Sequence, residues 1–123
     1  MRMVIGGLGQ GQIEYGASLA GIALAEAADG AICSLAEIEE KKMVYNLHLL
    51  IKRLLLEGED PYRILSHINE QVIVTDEIGG GLVPIDGFER QWREVCGRIC
   101  GEIAQKAQSV DRLYCGLAMR LKG

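Results

Sequence analysis

MRMVIGGLGQGQIEYGASLAGIALAEAA, residues 1–28, passes from an apolar run through a cluster of glycines to an alanine-rich stretch. Met1–Ile5 lacks the polar alternation of a half-solvated strand, so it predicts an interior strand of a sheet. Gly6–Gly11 predicts a loop, and Gln12–Ala28 a helix stopped by Asp29-Gly30. A glycine loop between a strand and a helix suits an anion. Glycine lets successive backbone N–H groups come close, and the helix start adds its positive end. In the frame G-x-x-x-x-G-K-[ST], Gly6 and Gly11 take the glycine places. Gln12 stands where the lysine belongs, and Ile13 where a hydroxyl would meet Mg²⁺. The residues offered to a phosphate are Gly6, Gly7, Leu8, Gly9, Gln10, Gly11 and Gln12. The dinucleotide pattern G-x-G-x-x-G fails in both frames, because Gln12 and Glu14 occupy its last glycine place. A tight turn with no ligand stays open as the alternative.

Outward from this unit, short apolar runs alternate with amphipathic stretches, which predicts βαβ units. The expected architecture is α/β, a three-layer fold of P-loop type with a mainly parallel sheet flanked by helices. The chain has 123 residues, enough for one domain, residues 1–123. Ala31–Leu35 and Met43–Tyr45 predict short strands, with Glu37–Lys42 a solvated charged stretch between them. Asn46 is placed to cap a helix whose Leu47, Leu50, Ile51, Leu54 and Leu55 share a face, and Gly58 ends it. Asp60-Pro61 starts a short helix burying Ile64, Leu65 and Ile68. Gln71–Thr75 is β-branched and predicts the best strand, a second interior one. A loop through Gly79–Gly81, expected to be flexible, follows it. Asp86 and Glu89 form a capping box for a helix to about Gln108, buried along Phe88, Trp92, Val95, Cys96, Ile99, Ile103 and Ala107. Val110–Cys115 predicts the last strand, with Met119–Leu121 an edge segment.

The composition is 49% hydrophobic and 24% charged with a net charge of -4, which suits a globular domain and argues against non-specific nucleic-acid binding. No apolar run reaches the ~18 residues of a membrane span, and the N-terminal apolar run is too short for a signal peptide, so a cytoplasmic location is expected. Cys33, Cys96, Cys100 and Cys115 then predict buried reduced thiols, without the paired spacing of a metal site. His48 and His67 predict helix-surface residues, with no carboxylate partner nearby in sequence.

Asp76 and Glu77 end the best strand at its carboxyl end, where α/β proteins bind ligands and a carboxylate can hold Mg²⁺. The run from these two residues is more specific. Asp76-Glu77-Ile78-Gly79-Gly80-Gly81-Leu82-Val83-Pro84 resembles the N-E-V-G-x-G-x-V-P signature of the adenosylcobinamide kinase / adenosylcobinamide-phosphate guanylyltransferase family. Trp92-Arg93 through Gly97-Arg98-Ile99-Cys100 resembles its F-R-x-x-x-G-R-x-N segment, and Gly116-Leu117-Ala118 through Leu121-Lys122 its ending. The resemblance covers the first ~20 residues and residues 71–123, with residues 31–70 a shortened middle.

This resemblance implies a nucleotide-binding transferase of cobalamin nucleotide-loop assembly. Members phosphorylate a cobinamide from a nucleoside triphosphate, GTP or ATP, and then pass GMP to it through a guanylylated histidine. It implies Mg²⁺ at Glu77 with Asp76 beside it, phosphates on Gly6–Gln12, and catalytic roles for Glu77 and Arg98. Its partners would be a nucleoside triphosphate, a corrinoid substrate and further copies of the chain, with a trimer favoured. No segment matches the family's histidine motif H-x-x-R-R-P, and His48 is followed by Leu49-Leu50-Ile51-Lys52-Arg53. A non-catalytic nucleotide- or corrinoid-binding protein on the same scaffold is the alternative reading.

Overall fold

The computed structural model describes residues 1–78 and 86–123. Its elements are β1 (Arg2–Gly6), α1 (Gln12–Ala20), β2 (Ala28–Asp29), α2 (Leu35–Glu40), β3 (Met43–Tyr45), α3 (Leu47–Leu56), β4 (Val72–Asp76), α4 (Gly87–Lys106), β5 (Ser109–Tyr114) and β6 (Leu117–Lys122). Two 3₁₀ segments, Leu24–Glu26 and Pro61–His67, complete the described chain.

The strands form one sheet in the order β2-β3-β4-β1-β5-β6. All neighbours are parallel except β5 and β6, which form an antiparallel hairpin. Both β1 and β4 are interior, as their unbroken apolar runs predict. The β-branched, apolar character of VIVT in β4 suits a strand with a helical layer on either face. On one face Val4, Val72, Val74 and Leu113 pack under α1. On the other, Met3, Ile73 and Val110 pack under Ile38 of α2, the Leu47–Leu54 stripe of α3, and Ile99 and Ile103 of α4. The result is the expected three-layer α/β architecture.

Three boundaries differ from the sequence reading. Helix α1 ends at Ala20 rather than Ala28, because Gly21 adopts a left-handed φ of 69° and its N–H caps Ala17 and Ser18 carbonyls. The strand expected at 31–35 lies at Ala28–Asp29 instead. The charged stretch 37–42 is largely helix α2, capped by Ser34 Oγ accepting from Glu37 N–H and anchored by the fully buried Ile38. Asn46 does not cap α3 with its side chain. Its Nδ2 donates to Asp29 Oδ1 at 2.9 Å. Asp60 and Asp86 do cap, accepting from Tyr62 and Phe88 N–H groups.

All four cysteines are free thiols. Burial pushes the Cys96 thiol up to about 12 and that of Cys100 to about 11. Cys115 departs from the buried-thiol expectation, standing exposed in the β5–β6 turn. The loop expected at Gly79–Gly81 lies outside the described residues. Among the described residues no helix is long and apolar enough to cross a membrane.

Candidate functional site

The glycine loop stands at the carboxyl end of β1, beside the carboxyl end of β4, because Gly6 pairs with Asp76 in the parallel register. Gly11 sits at the N-cap of α1 with φ of 95°, a left-handed conformation that favours glycine. Two bonds anchor the loop's far side to the β5–β6 turn. Gln10 Oε1 accepts from Cys115 N–H at 2.7 Å and Gln10 O from Gly116 N–H at 3.1 Å. Among the described residues, no acceptor engages the backbone N–H groups from Gly7 to Glu14. They border a cavity of about 320 Å³ whose lining also includes Asn46 and Asp76.

Gln12 is 3% exposed and turns into the loop. Its Nε2 donates to Asp76 Oδ1 at 2.6 Å, to Gly7 O at 2.8 Å and to Gly6 O at 3.3 Å. Three acceptors around one nitrogen fix which end of the carboxamide is which. Its Oε1 is buried with no hydrogen-bond partner.

Asp76 has a second partner, His48. The expected surface histidine is buried at the start of α3. Its Nδ1 accepts from Asp76 N–H at 3.3 Å, and its Nε2 lies 3.5 Å from Asp76 Oδ2. With Nδ1 accepting, the neutral ring carries its proton on Nε2, facing the carboxylate. Burial lowers the His48 pKa, Asp76 pulls it back up, and Lys52 lowers it further. Trp92 holds the ring from behind. Its indole is stacked at 6.4 Å between centroids, and its Nε1 donates to His48 O at 2.8 Å. Lys52 Nζ lies 4.6 Å from the Trp92 ring centroid, a cation–π contact.

The other expected site residues are occupied elsewhere. Glu77 N–H donates to Gly6 O at 2.7 Å, so its backbone belongs to the site. Its carboxylate is held in a two-point pair by Arg112, at 2.9 and 3.0 Å. Arg98 ion-pairs with Glu94 one turn away on the exposed face of α4. The structure therefore brings together Gly6–Gln12 and Asp76, adds His48, Trp92 and Asn46, and gives Arg98 an exposed surface partner.

Mg²⁺ is a hard cation that needs oxygen ligands in near-octahedral array. Ile13 supplies no oxygen and packs among the apolar residues under α1. Both Asp76 oxygens face protein donors, and both Glu77 oxygens face Arg112. Among the described residues no three His, Cys, Asp or Glu side chains cluster to hold a metal. The donor set does not fit a directly liganded Mg²⁺.

A larger trough of about 450 Å³ runs beneath α4 from Ile78 to Leu121. Its charged rim is spent, Glu77 on Arg112 and Lys122 on the carbonyls of Ala104 and Gln105.

His48 was hidden because a helical wheel sees only its own helix. Its one available signal was its position, three residues past a strand end, where ligand sites of parallel sheets gather.

A protein-family model described as cobinamide kinase / cobinamide phosphate guanyltransferase matches residues 34–121. The match runs from α2 into β6, takes in Asp76 and Glu77, and begins after the glycine loop. A search of curated proteins finds no match.

Proposed function

The chain belongs to the cobinamide kinase / cobinamide phosphate guanyltransferase family, and from that premise we propose that it binds a phosphate-bearing nucleotide or corrinoid at its glycine loop without transferring the phosphate. Membership supports a kinase- or guanyltransferase-like role in cobalamin biosynthesis, with nucleotide and cobinamide as the ligands it implies. One observation carries the narrower reading. Among the described residues the N–H groups of residues 7–14 are unclaimed, while the groups that would act on a phosphate are already spent. Backbone amides and a helix start suffice to hold an anion. Transfer needs positioned positive charge at the phosphoryl group, and Gln12 and Ile13 stand where Lys and Ser would help supply it.

Transfer itself is the second reading, supported by the family match. Labelled GTP or ATP with Mg²⁺ and cobinamide separates the two. We expect binding by calorimetry, no labelled cobinamide, and no label on the denatured protein, since a covalent step needs a placed and activated nucleophile. Steady production of labelled cobinamide would sink the binding-only reading. Label lost in His48→Ala would make His48 a nucleophile.

A further inference from the structure

We infer that the glycine-loop site takes a singly or doubly charged phosphate ester, and takes it without a divalent cation liganded by Asp76 or Glu77. This rests on the loop being a phosphate site, as proposed above.

The argument begins with Asp76. In a lysine-bearing loop, positive charge on the protein and a bound cation both offset phosphate charge. Here Asp76 is committed to a latch across three elements, with Gln12 of α1 on one oxygen and His48 of α3 facing the other. A metal could displace Gln12 from Asp76 only by stripping a buried amide of its shortest bond. The amide nitrogen would keep the Gly7 and Gly6 carbonyls, so the cost is one charge-assisted hydrogen bond, the stronger kind. Glu77 could be freed only by releasing a two-point arginine pair, the stronger kind of ion pair.

Charge then selects the ligand. Among the described residues, Glu14 and Asp76 are the charged ones lining the cavity, and no Lys or Arg lines it. The positive contribution from the described residues at this cavity is the amides and the start of α1, equivalent to about half an elementary charge. Each further negative charge on a ligand meets two carboxylates with little to offset it. The orphaned Gln12 Oε1 points the same way. It is a buried acceptor beside Gly6, so this side chain brings no positive charge to offset a phosphate. A metal-free triphosphate suits neither feature.

The test uses the full chain and GMP as probe. Calorimetry is run in EDTA and in millimolar Mg²⁺, beside GTP in EDTA. A parallel Mn²⁺ titration by electron paramagnetic resonance includes GMP. We expect GMP affinity to agree within about twofold between EDTA and Mg²⁺. GTP in EDTA should bind at least tenfold more weakly, a difference of about 1.4 kcal/mol. Free Mn²⁺ signal should persist through the titration. Stoichiometric Mn²⁺ binding lost in Asp76→Asn, or a tenfold gain for GMP from Mg²⁺, overturns the inference and leaves the phosphate site standing. Failure of GMP, GTP and inorganic phosphate to bind under either condition overturns both. The double variant Gln12→Lys, Ile13→Ser restores the missing ammonium and hydroxyl. It should tighten Mg²⁺–GTP about tenfold over the unaltered chain and make that binding more salt-sensitive. A folded double variant with unchanged affinity would likewise count against a phosphate held at this loop.

Discussion

His48 shows how far a single residue's role depends on what folds against it. Its imidazole loses more by burial than it regains from Asp76, and Lys52 adds to the loss, so its folded pKa lies below the ordinary 6.5. The unfolded chain therefore binds a proton that the folded chain refuses. Stability from this group is fully present above pH about 6.5 and falls as pH drops through the window below it. A protonated Nδ1 would also oppose the Asp76 N–H it now accepts. Urea midpoints should decline across that window in the natural chain and decline less in His48→Gln; equal slopes would remove the idea. Gln12 teaches the same lesson from the other side. The sequence marks it as the wrong residue for a phosphate lysine. It cannot reveal that the carboxamide reaches a carboxylate 64 positions away.

Elements were legible where a pattern was long and illegible where it was short. The strands β1 and β4 announce themselves by unbroken apolar runs, and α4 by a stripe of more than five turns ending in Ile99, Ile103 and Ala107. Strand β2 has two residues and α2 has one buried side chain, too little for any periodicity to register. Alanine propensity carried the reading of α1 past Gly21, whose backbone geometry stops the helix. Glycine inside α1 has a packing reason. A Cβ at Gly16 would lie 2.5 Å from Val74 Cγ2, whereas one at Gly97 in α4 meets nothing within 4 Å. Gly16→Ala should cost about 1–3 kcal/mol by overpacking α1 against the sheet. Gly97→Ala should be neutral or gain up to about 1 kcal/mol from helix propensity. Chemical denaturation of both reads the contrast directly, and equal effects would mean that α1 does not press on β4 as described.

At the scale of the molecule, the parallel sheet was foreseeable because alternating apolar and amphipathic stretches leave few other arrangements. The closing hairpin was only half seen, since every residue of β6 is exposed and its pattern follows no core. That exposure has a consequence for assembly. Leu117, Met119 and Leu121 alternate along an edge strand, with Tyr114 beside them, all more than half exposed. Arg120 and Lys122, which could guard such an edge, are turned to Asp111 and to the end of α4. We expect a homo-oligomer, a trimer by family resemblance, in sedimentation at micromolar concentration. Leu117→Lys with Met119→Lys should shift it toward monomer; a monomeric natural chain would remove the prediction. The pairing of β1 bears on how the protein comes to exist at all. Arg2 sits against Val72 on one side and Ser109 on the other. During synthesis the glycine loop leaves the ribosome with its strand unpaired, and it waits for the segment Ser109–Tyr114 before its second neighbour is made. Contacts so distant in sequence are slow to form. The glycine-loop strand is thus among the last to acquire its shape, and a chain cut short before β5 would leave that loop held on one side alone.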